Sequence, residues 1–298
     1  MKSRFIDQES GQALVIVVLF LGGLLAMLGL VVDGGNIYLQ RRAMQNAADA
    51  GAIAGARVLA LNGTPSEAQA AVQEYTVQRN RADSCESTIN GPVVTVSAHK
   101  SVEMTFARIV GVQQVSISVR AAAAFKPVRE ARGLAPIAIK NFDYQYDQTY
   151  TIWDDTKDRD PESGNISGSY RGWLNLECVY PMSCGDGGAS QLKEWMRNGY
   201  PGLVEQNTWI RGSSGTKTSV LQQASVGQLL LIAVYDSIQE LYPGKSYYRV
   251  KKFAAFKITA VHFTGNPKGL EGNFKGYVIP SPPSDGEDGG LRTIVVTK

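Results

Sequence analysis

The chain has 298 residues, room for a membrane segment plus one or two folded regions at about 100–200 residues per domain. With 44% hydrophobic and 19% charged residues it has the composition of a folded protein, which excludes wholesale disorder. A formal net charge of +3, with no dense Lys/Arg stripe among aromatics, gives no footing for nucleic-acid binding, and two sequence-distant histidines, His99 and His262, argue against a histidine-built metal or catalytic site.

Residues 1–12 form a short leading segment, expected on the cytoplasmic side. Ala13 to Val32 then reads ALVIVVLFLGGLLAMLGLVV, twenty residues without a charge, an amide, a hydroxyl or a proline. At about 1.5 Å per residue such a helix spans the ~30 Å hydrocarbon core. A cleaved signal peptide would have a shorter apolar core of ~7–15 residues and a small-x-small cleavage site. Asp33-Gly34-Gly35-Asn36-Ile37-Tyr38 is not such a site, so a retained transmembrane helix is predicted over 13–32. Gly22 and Ala26 form a small-xxx-small step that lets another helix pack closely. Lys2 and Arg4 before the span nearly balance Arg41 and Arg42 after it. The long C-terminal part lacks a second span and carries the Cys178/Cys184 pair, which suits an oxidising compartment. The expected arrangement is therefore single-pass in the cell membrane, with the C-terminal domain outside, in the periplasm or at the cell surface.

The helical pattern continues from Tyr38 to Leu61. Ala47, Gly51 and Gly55 recur every four residues, as do Ala48, Ala52 and Ala56, so two nearly side-chain-free rows share one face. Each glycine costs the helix ~1 kcal/mol against alanine, which close packing must offset, against the chain's own domain or a partner helix. Asn62-Gly63 and Pro65 end the helix. Ser66 to Arg79 reads as a second amphipathic helix with Ala68, Val72, Tyr75 and Arg79 near one face. From Pro92 the period changes to strands, Val93 to Ala98 and Gln114 to Phe125. In the second, Val115, Ile117 and Val119 alternate with Ser116, Ser118 and Arg120. Thr105 to Gly111 between them reads as a short helix closed by glycine.

Gly11-Gln12-Ala13 leading into the span, Asp33 at its end, Arg41/Arg42, the run Gln45-Asn46-Ala47-Ala48-Asp49-Ala50-Gly51-Ala52, the Thr105–Gly111 element and the alanine-ending strand together carry a resemblance. Over roughly residues 8–125 the chain resembles Flp (tight-adherence, Tad) pilus-assembly proteins of the TadE/TadG type. The resemblance implies a bitopic, pilin-like envelope protein that works with other pilus subunits, with Asp33, Arg41, Gln45 and Asp49 as family-motif positions. Two family features differ here. Gly11 is followed five positions later by Ile16 rather than by the glutamate of processed prepilins, and the Asp-x-Ser-x-Ser motif of metal-dependent adhesion domains is missing. Gly133–Ile139 and Gly199–Gly202 look like an extra domain carried by some such proteins.

Beyond a linker at 129–133 the sequence leans to β structure. Strands are expected at Leu134–Ile139, Thr149–Trp153, Gly172–Leu176, Gln228–Tyr235, Arg249–His262, Gly276–Ile279 and Thr293–Thr297, separated by Gly, Asn and Asp turns. Gly188–Asn198 is the clearest helix, with Leu192, Trp195 and Met196 on one face and Gly199 closing it. Cys178 and Cys184 are candidates for a local disulfide; Cys85 is then free, or pairs with one of them instead. Asp154, Asp155, Asp158, Asp160 and Glu162 form an acidic run that offers oxygen ligands for calcium but lacks the glycine and terminal glutamate of an EF-hand loop, so a solvated loop is expected. Gly212–Thr218 lacks phosphate-loop spacing, and no nucleophile elbow or Ser/His/Asp set emerges.

The expected fold is α+β: a transmembrane helix extended into a long pilin-like helix, a small α/β region over 33–128, the linker 129–133, and a β-rich extracytoplasmic domain over 134–298. The expected function is a membrane-anchored, non-enzymatic component of Flp/Tad pilus assembly, acting through helix packing at Gly22, Ala26, Ala47, Ala48, Gly51, Ala52, Gly55 and Ala56. The alternative is a membrane-tethered hydrolase or ligand-binding module with its activity in the C-terminal domain. No catalytic residue, metal or cofactor is predicted. The expected partners are the lipid bilayer and other pilus-assembly or pilin-like envelope subunits, with a homo-oligomer left open and no nucleic acid.

Overall fold

A computed structural model describes residues 9–154, 165–167, 172–215, 217–265 and 268–297. Its first element is one uninterrupted helix, α1, over Glu9–Ala60. At about 1.5 Å per residue it is ~78 Å long, more than twice a bilayer core. It is long and apolar enough to cross a membrane, and the large side chains from Leu14 to Val32 stand exposed. Beyond the apolar run Asp33 is buried, and from Met44 the buried positions are Met44, Ala47, Ala48, Gly51, Ala52, Gly55, Ala56 and Ala60, a stripe at 3–4-residue spacing.

The stripe faces the chain's own fold. Helix α2 (Pro65–Gln73) starts at Thr64 with a capping box: the Thr64 side chain accepts from the Glu67 N–H, and the Glu67 carboxylate accepts from the Thr64 N–H at 2.7 Å. It runs into a π turn, Glu74–Gln78. The extra residue of that turn moves Thr76 rather than Tyr75 into the buried row behind Ala68 and Val72. Strands β1 (Ser84–Asn90), β2 (Val93–Glu103) and β3 (Gln114–Pro127) follow as an antiparallel meander. Val94, Val96 and Ala98 of β2 and Ile117, Val119, Ala121 and Ala123 of β3 turn inward at period two and join α1 and α2 in one core. A Cβ added at Gly51 would stand against the Thr76 hydroxyl, and one at Gly55 would come 2.8 Å from Val72 Cγ2 and 3.0 Å from Val94 Cγ1. The glycines are therefore what lets helix, helix and sheet approach so closely.

The second core belongs to a larger sheet ordered β5–β11–β12–β13–β6–β7, with β10 on β12 and β8 on β10. Its members are β5 (Leu134–Lys140), β6 (Thr149–Trp153), β7 (Asn165–Ser167), β8 (Leu174–Val179), β10 (Trp209–Gly212), β11 (Leu229–Tyr242), β12 (Lys245–His262) and β13 (Gly269–Lys275). Two-residue strands β4 (Glu130–Ala131) and β9 (Val204–Glu205) pair beside it. Helix α3 (Ala189–Asn198) buries Leu192, Trp195 and Met196, and the short α4 (Thr218–Leu221) buries Val220 and Leu221. The fold is thus α+β, a long apolar helix followed by small helices and a β-rich region.

Chain order and sheet membership part company at the end. Strands β14 (Tyr277–Val278) and β15 (Leu291–Thr297), which by position follow the large sheet, hydrogen-bond in the first one, in the order β1–β2–β3–β15–β14. The sulfurs of Cys178 and Cys184 are bonded, with Cα atoms 5.9 Å apart, and Cys85 is the free cysteine, half-buried.

Two substitutions test this packing in detergent-solubilised full-length protein. Gly55→Leu overfills the α1–α2–sheet contact and is expected to lower stability by about 1–3 kcal/mol, read from thermal melting. Gly34→Ala, where an added Cβ meets nothing within 4 Å, is expected to be neutral or stabilising. Cys178→Ser together with Cys184→Ser opens a short loop and is expected to cost about 2 kcal/mol by the chain-entropy relation, an effect that reductant reproduces on the native chain.

Candidate functional site

Helix α1 is held at two points along its extramembrane part. The first is Asp33, one residue beyond the apolar run and buried. Its carboxylate accepts three backbone N–H groups, from Thr105 at 2.8 Å, Phe106 at 2.9 Å and Ala107 at 2.7 Å. These belong to the connection between β2 and β3, where Ala107–Val110 forms a 3-10 turn closed by Gly111 at φ 93°. Asp33 therefore caps that turn from a different element. One turn earlier, Gly29 faces the same way, and a Cβ there would lie 2.7 Å from the Cβ of Phe106. Gly29 and Asp33 work as a pair: one clears space for the connection, the other binds its backbone.

The second point is the C-terminal end of α1, whose last carbonyls have no partner within the helix. Arg292 of β15, 5% exposed, donates from Nη1 to the Ala60 carbonyl at 2.7 Å and to Asn62 Oδ1 at 2.8 Å. Its Nε donates to Asp288 at 2.8 Å and its Nη2 to the Tyr146 hydroxyl at 3.2 Å. The guanidinium also lies over the rings of Phe125 and Tyr146, 4.6 and 5.4 Å from their centroids. A cation at a helix C-terminus is favoured by the helix dipole as well as by these bonds. Gly276 lets β14 approach this end, since a Cβ there would come 2.4 Å from the Ala60 carbonyl oxygen.

The predicted positions distribute as follows. Ala47, Ala48, Gly51, Ala52, Gly55 and Ala56 are covered by α2 and the first sheet, so the docking surface expected there is used within the chain. Gly22 and Ala26 are exposed on the span, and nothing lies within 4 Å of a Cβ built on Gly22. Gln45 donates to Asp49 Oδ1 at 3.2 Å and to the Arg120 carbonyl of β3 at 3.3 Å, tying helix to sheet. Arg41 is exposed. The sequence reading missed Gly29 as Asp33's counterpart and Arg292 altogether. The i, i+4 spacing of Gly29 and Asp33 was available as a signal; the role of Arg292 depends on pairings more than 200 residues apart.

Several described polar side chains of the C-terminal region are tied into hydrogen bonds within the fold. Asp154 accepts from the Trp173 indole at 2.9 Å and from the Lys217 N–H at 3.2 Å. Asp158, Asp160 and Glu162 of the acidic run lie outside the described residues. Asp186 is desolvated, which alone would raise its pKa. Hydrogen bonds from the Ser214 hydroxyl and N–H and the charge of Arg211 outweigh that and hold the carboxyl below its ordinary value. Such a group stays ionised and is poorly matched to proton transfer near neutral pH. His262 sits 3.3 Å from Glu271 and stacks on Trp153. A cavity lined by Ile137, Ile152, Trp173 and Leu221 has about 10 Å³, room for one water. Among the described residues no three His, Cys, Asp or Glu side chains group as metal ligands.

Residues 11–58 match the family model Tad, described as putative Flp pilus-assembly TadE/G-like. This is the family the sequence resembles, and the matched stretch, about a sixth of the chain, runs from the start of the span to the end of the buried stripe. It contains Gly29 and Asp33, and every α1 residue that packs on the sheet except those of the last turn. No curated protein and no solved structure matches the chain. The match points to a role in Flp pilus assembly and, with the apolar helix, to membrane anchoring.

Replacing Asp33 by alanine strands three N–H groups, a loss of about 1–3 kcal/mol per unsatisfied group if they stay buried. Amide hydrogen exchange at residues 105–107 is expected to speed up about tenfold or more, while exchange in α2 stays as it was. Equal exchange in native and D33A protein would mean that Asp33 does not hold the connection.

Proposed function

We propose that the chain is a non-enzymatic, single-pass membrane component of Flp pilus assembly that joins other subunits through its membrane helix. The observation that carries this is the division of labour along α1. The small residues beyond the membrane are already packed inside the chain, whereas Gly22 and Ala26 within the apolar run are exposed as a small-xxx-small step. The family match supports pilus assembly as the setting and other pilus subunits as the partners. The C-terminal domain faces the oxidising side of the membrane in this reading, which the Cys178–Cys184 bond supports.

A photo-crosslinking residue at Gly22 of the full-length protein, in its own cells, tests the packing. Position 22 is expected to capture a pilus-assembly subunit or a second copy of this chain, and position 31, two and a half turns further on and so on the opposite face, is expected not to. Equal capture at both positions would argue against a specific face, and no association with any pilus component would overturn the proposal. In intact cells, in a Cys85→Ser background, a membrane-impermeant thiol reagent is expected to label a cysteine at exposed Glu86 but not one at Lys2, which fixes the direction of the span.

A further inference from the structure

We infer that the Thr105–Val112 connection between β2 and β3 is a second membrane contact, seated in the interfacial layer of the same bilayer that α1 crosses. The inference rests on α1 being the span and goes beyond it. Three independent features of the connection agree.

The first is depth. Phe106 packs on Gly29, three residues inside the end of the apolar run at Val32. At about 1.5 Å per residue that places it ~5 Å below the level at which the helix leaves the hydrocarbon. A groove of about 650 Å³ opens between α1 and the connection, with Leu25, Ala26, Gly29, Phe106 and Ile109 in its walls. Much of it therefore lies at depths where lipid, not water, surrounds α1.

The second is the surface presented. Phe106, Ile109 and Val112 are 39%, 83% and 45% exposed, an apolar tip that the described residues leave partly open. It is continuous with the exposed apolar side chains of the span. Arg108 stands beside them, its side chain 59% exposed and only loosely paired with Glu103 at 3.4 Å. A long basic side chain at that level can lay its stem on the apolar tip and reach lipid phosphates with its head.

The third is the backbone. A loop entering a low-dielectric layer must satisfy its own polar groups. Here the N–H groups of Thr105, Phe106 and Ala107 go to Asp33. Those of Ile109, Gly111 and Val112 go to the carbonyls of Phe106, Arg108 and Ala107, and that of Met104 goes to Gln113. Asp33 thus supplies what water would otherwise have to supply.

Spin labelling of the full-length protein in phosphatidylcholine/phosphatidylglycerol vesicles tests this. In a Cys85→Ser background, with Cys178 and Cys184 already bonded, single cysteines are placed at Leu25, Ile109, Val112 and Glu86. Collision with oxygen, which partitions into lipid, is compared with collision with a water-soluble nickel complex. Oxygen is expected to dominate at 25, 109 and 112, and nickel at 86. If 25 is lipid-exposed while both 109 and 112 follow 86, the tip is in water and the inference is overturned, although the span stands. Shielding of 109 and 112 from both reagents would mean that protein covers the tip, which also overturns it. Nickel dominance at 25 would instead sink the reading of α1 as the span. Labelling at two tip positions guards against one variant failing to fold.

Discussion

The structure turns on one carboxylate. A buried aspartate at the edge of an apolar helix is costly unless its charge is met, and Asp33 is met by three N–H groups from a single connection. Charge-assisted bonds of this kind are short and directional, so they fix where the β2–β3 connection stands along α1. Gly29 allows the same connection to lie flat on the helix one turn below. The sheet cannot slide relative to the membrane helix without stranding those donors. In the proposed arrangement, with α1 as the span, the depth of the folded region relative to the bilayer follows from one residue's position in sequence, immediately after Val32.

The far end of α1 is held by different chemistry for the same reason. A helix ending inside a protein leaves carbonyls that must find donors; here the N–H groups of Leu61, Asn62 and Gly63 serve Arg57, Val58 and Leu59, and a buried guanidinium serves Ala60. Burying that charge is tolerable because Asp288, the Tyr146 hydroxyl and two aromatic faces also receive it. Arg292 sits on β15, the strand that crosses back to β3. One strand thus extends the first sheet, closes the helix and brings in side chains from the larger sheet's region. From Met44 to the Arg292 contact, α1 is a structural member of the folded region, not a tether to it.

Much of this was legible in the sequence, and the failures have physical reasons. The span, its continuation into a long helix, the buried small-residue rows and the α3 face all follow from period and side-chain size, which are local properties. The Ala47–Ala56 rows announced close packing, but residue spacing is indifferent to whether the other surface belongs to the same chain. Strand β13 went unseen because Gly269, Gly272 and Asn273 read as a turn. Added Cβ atoms at Gly269 and Gly272 would come 2.7 Å from the Ile152 carbonyl oxygen and 2.2 Å from that of Lys257, so these glycines mark close strand approach instead. Strand β1 is mostly polar, with only Cys85 and Ile89 packed on the first core, and lies at a sheet edge, so its alternation is weak. The return of β15 to the first sheet depends on non-local pairing that no window of sequence contains.

The same geometry limits how a partner helix can reach the span. Inside a bilayer apolar side chains gain nothing by leaving lipid, so association depends on close backbone approach at small residues. Gly29 would extend the Gly22–Ala26 step by another turn, but Phe106 already occupies it. A partner helix packed on the Gly22–Ala26 step would therefore meet Phe106 at that level and either stop there or cross α1 at an angle. The open length, from Gly22 to Ala26, is about one turn, enough for a crossing contact but not for a long parallel seam. In the proposed assembly, a single crossing point would favour an interface made by one helix from each of two subunits, with the β2–β3 connection as its upper stop. In that assembly Asp33, by holding Phe106 against Gly29, would set how far along α1 a partner can pack.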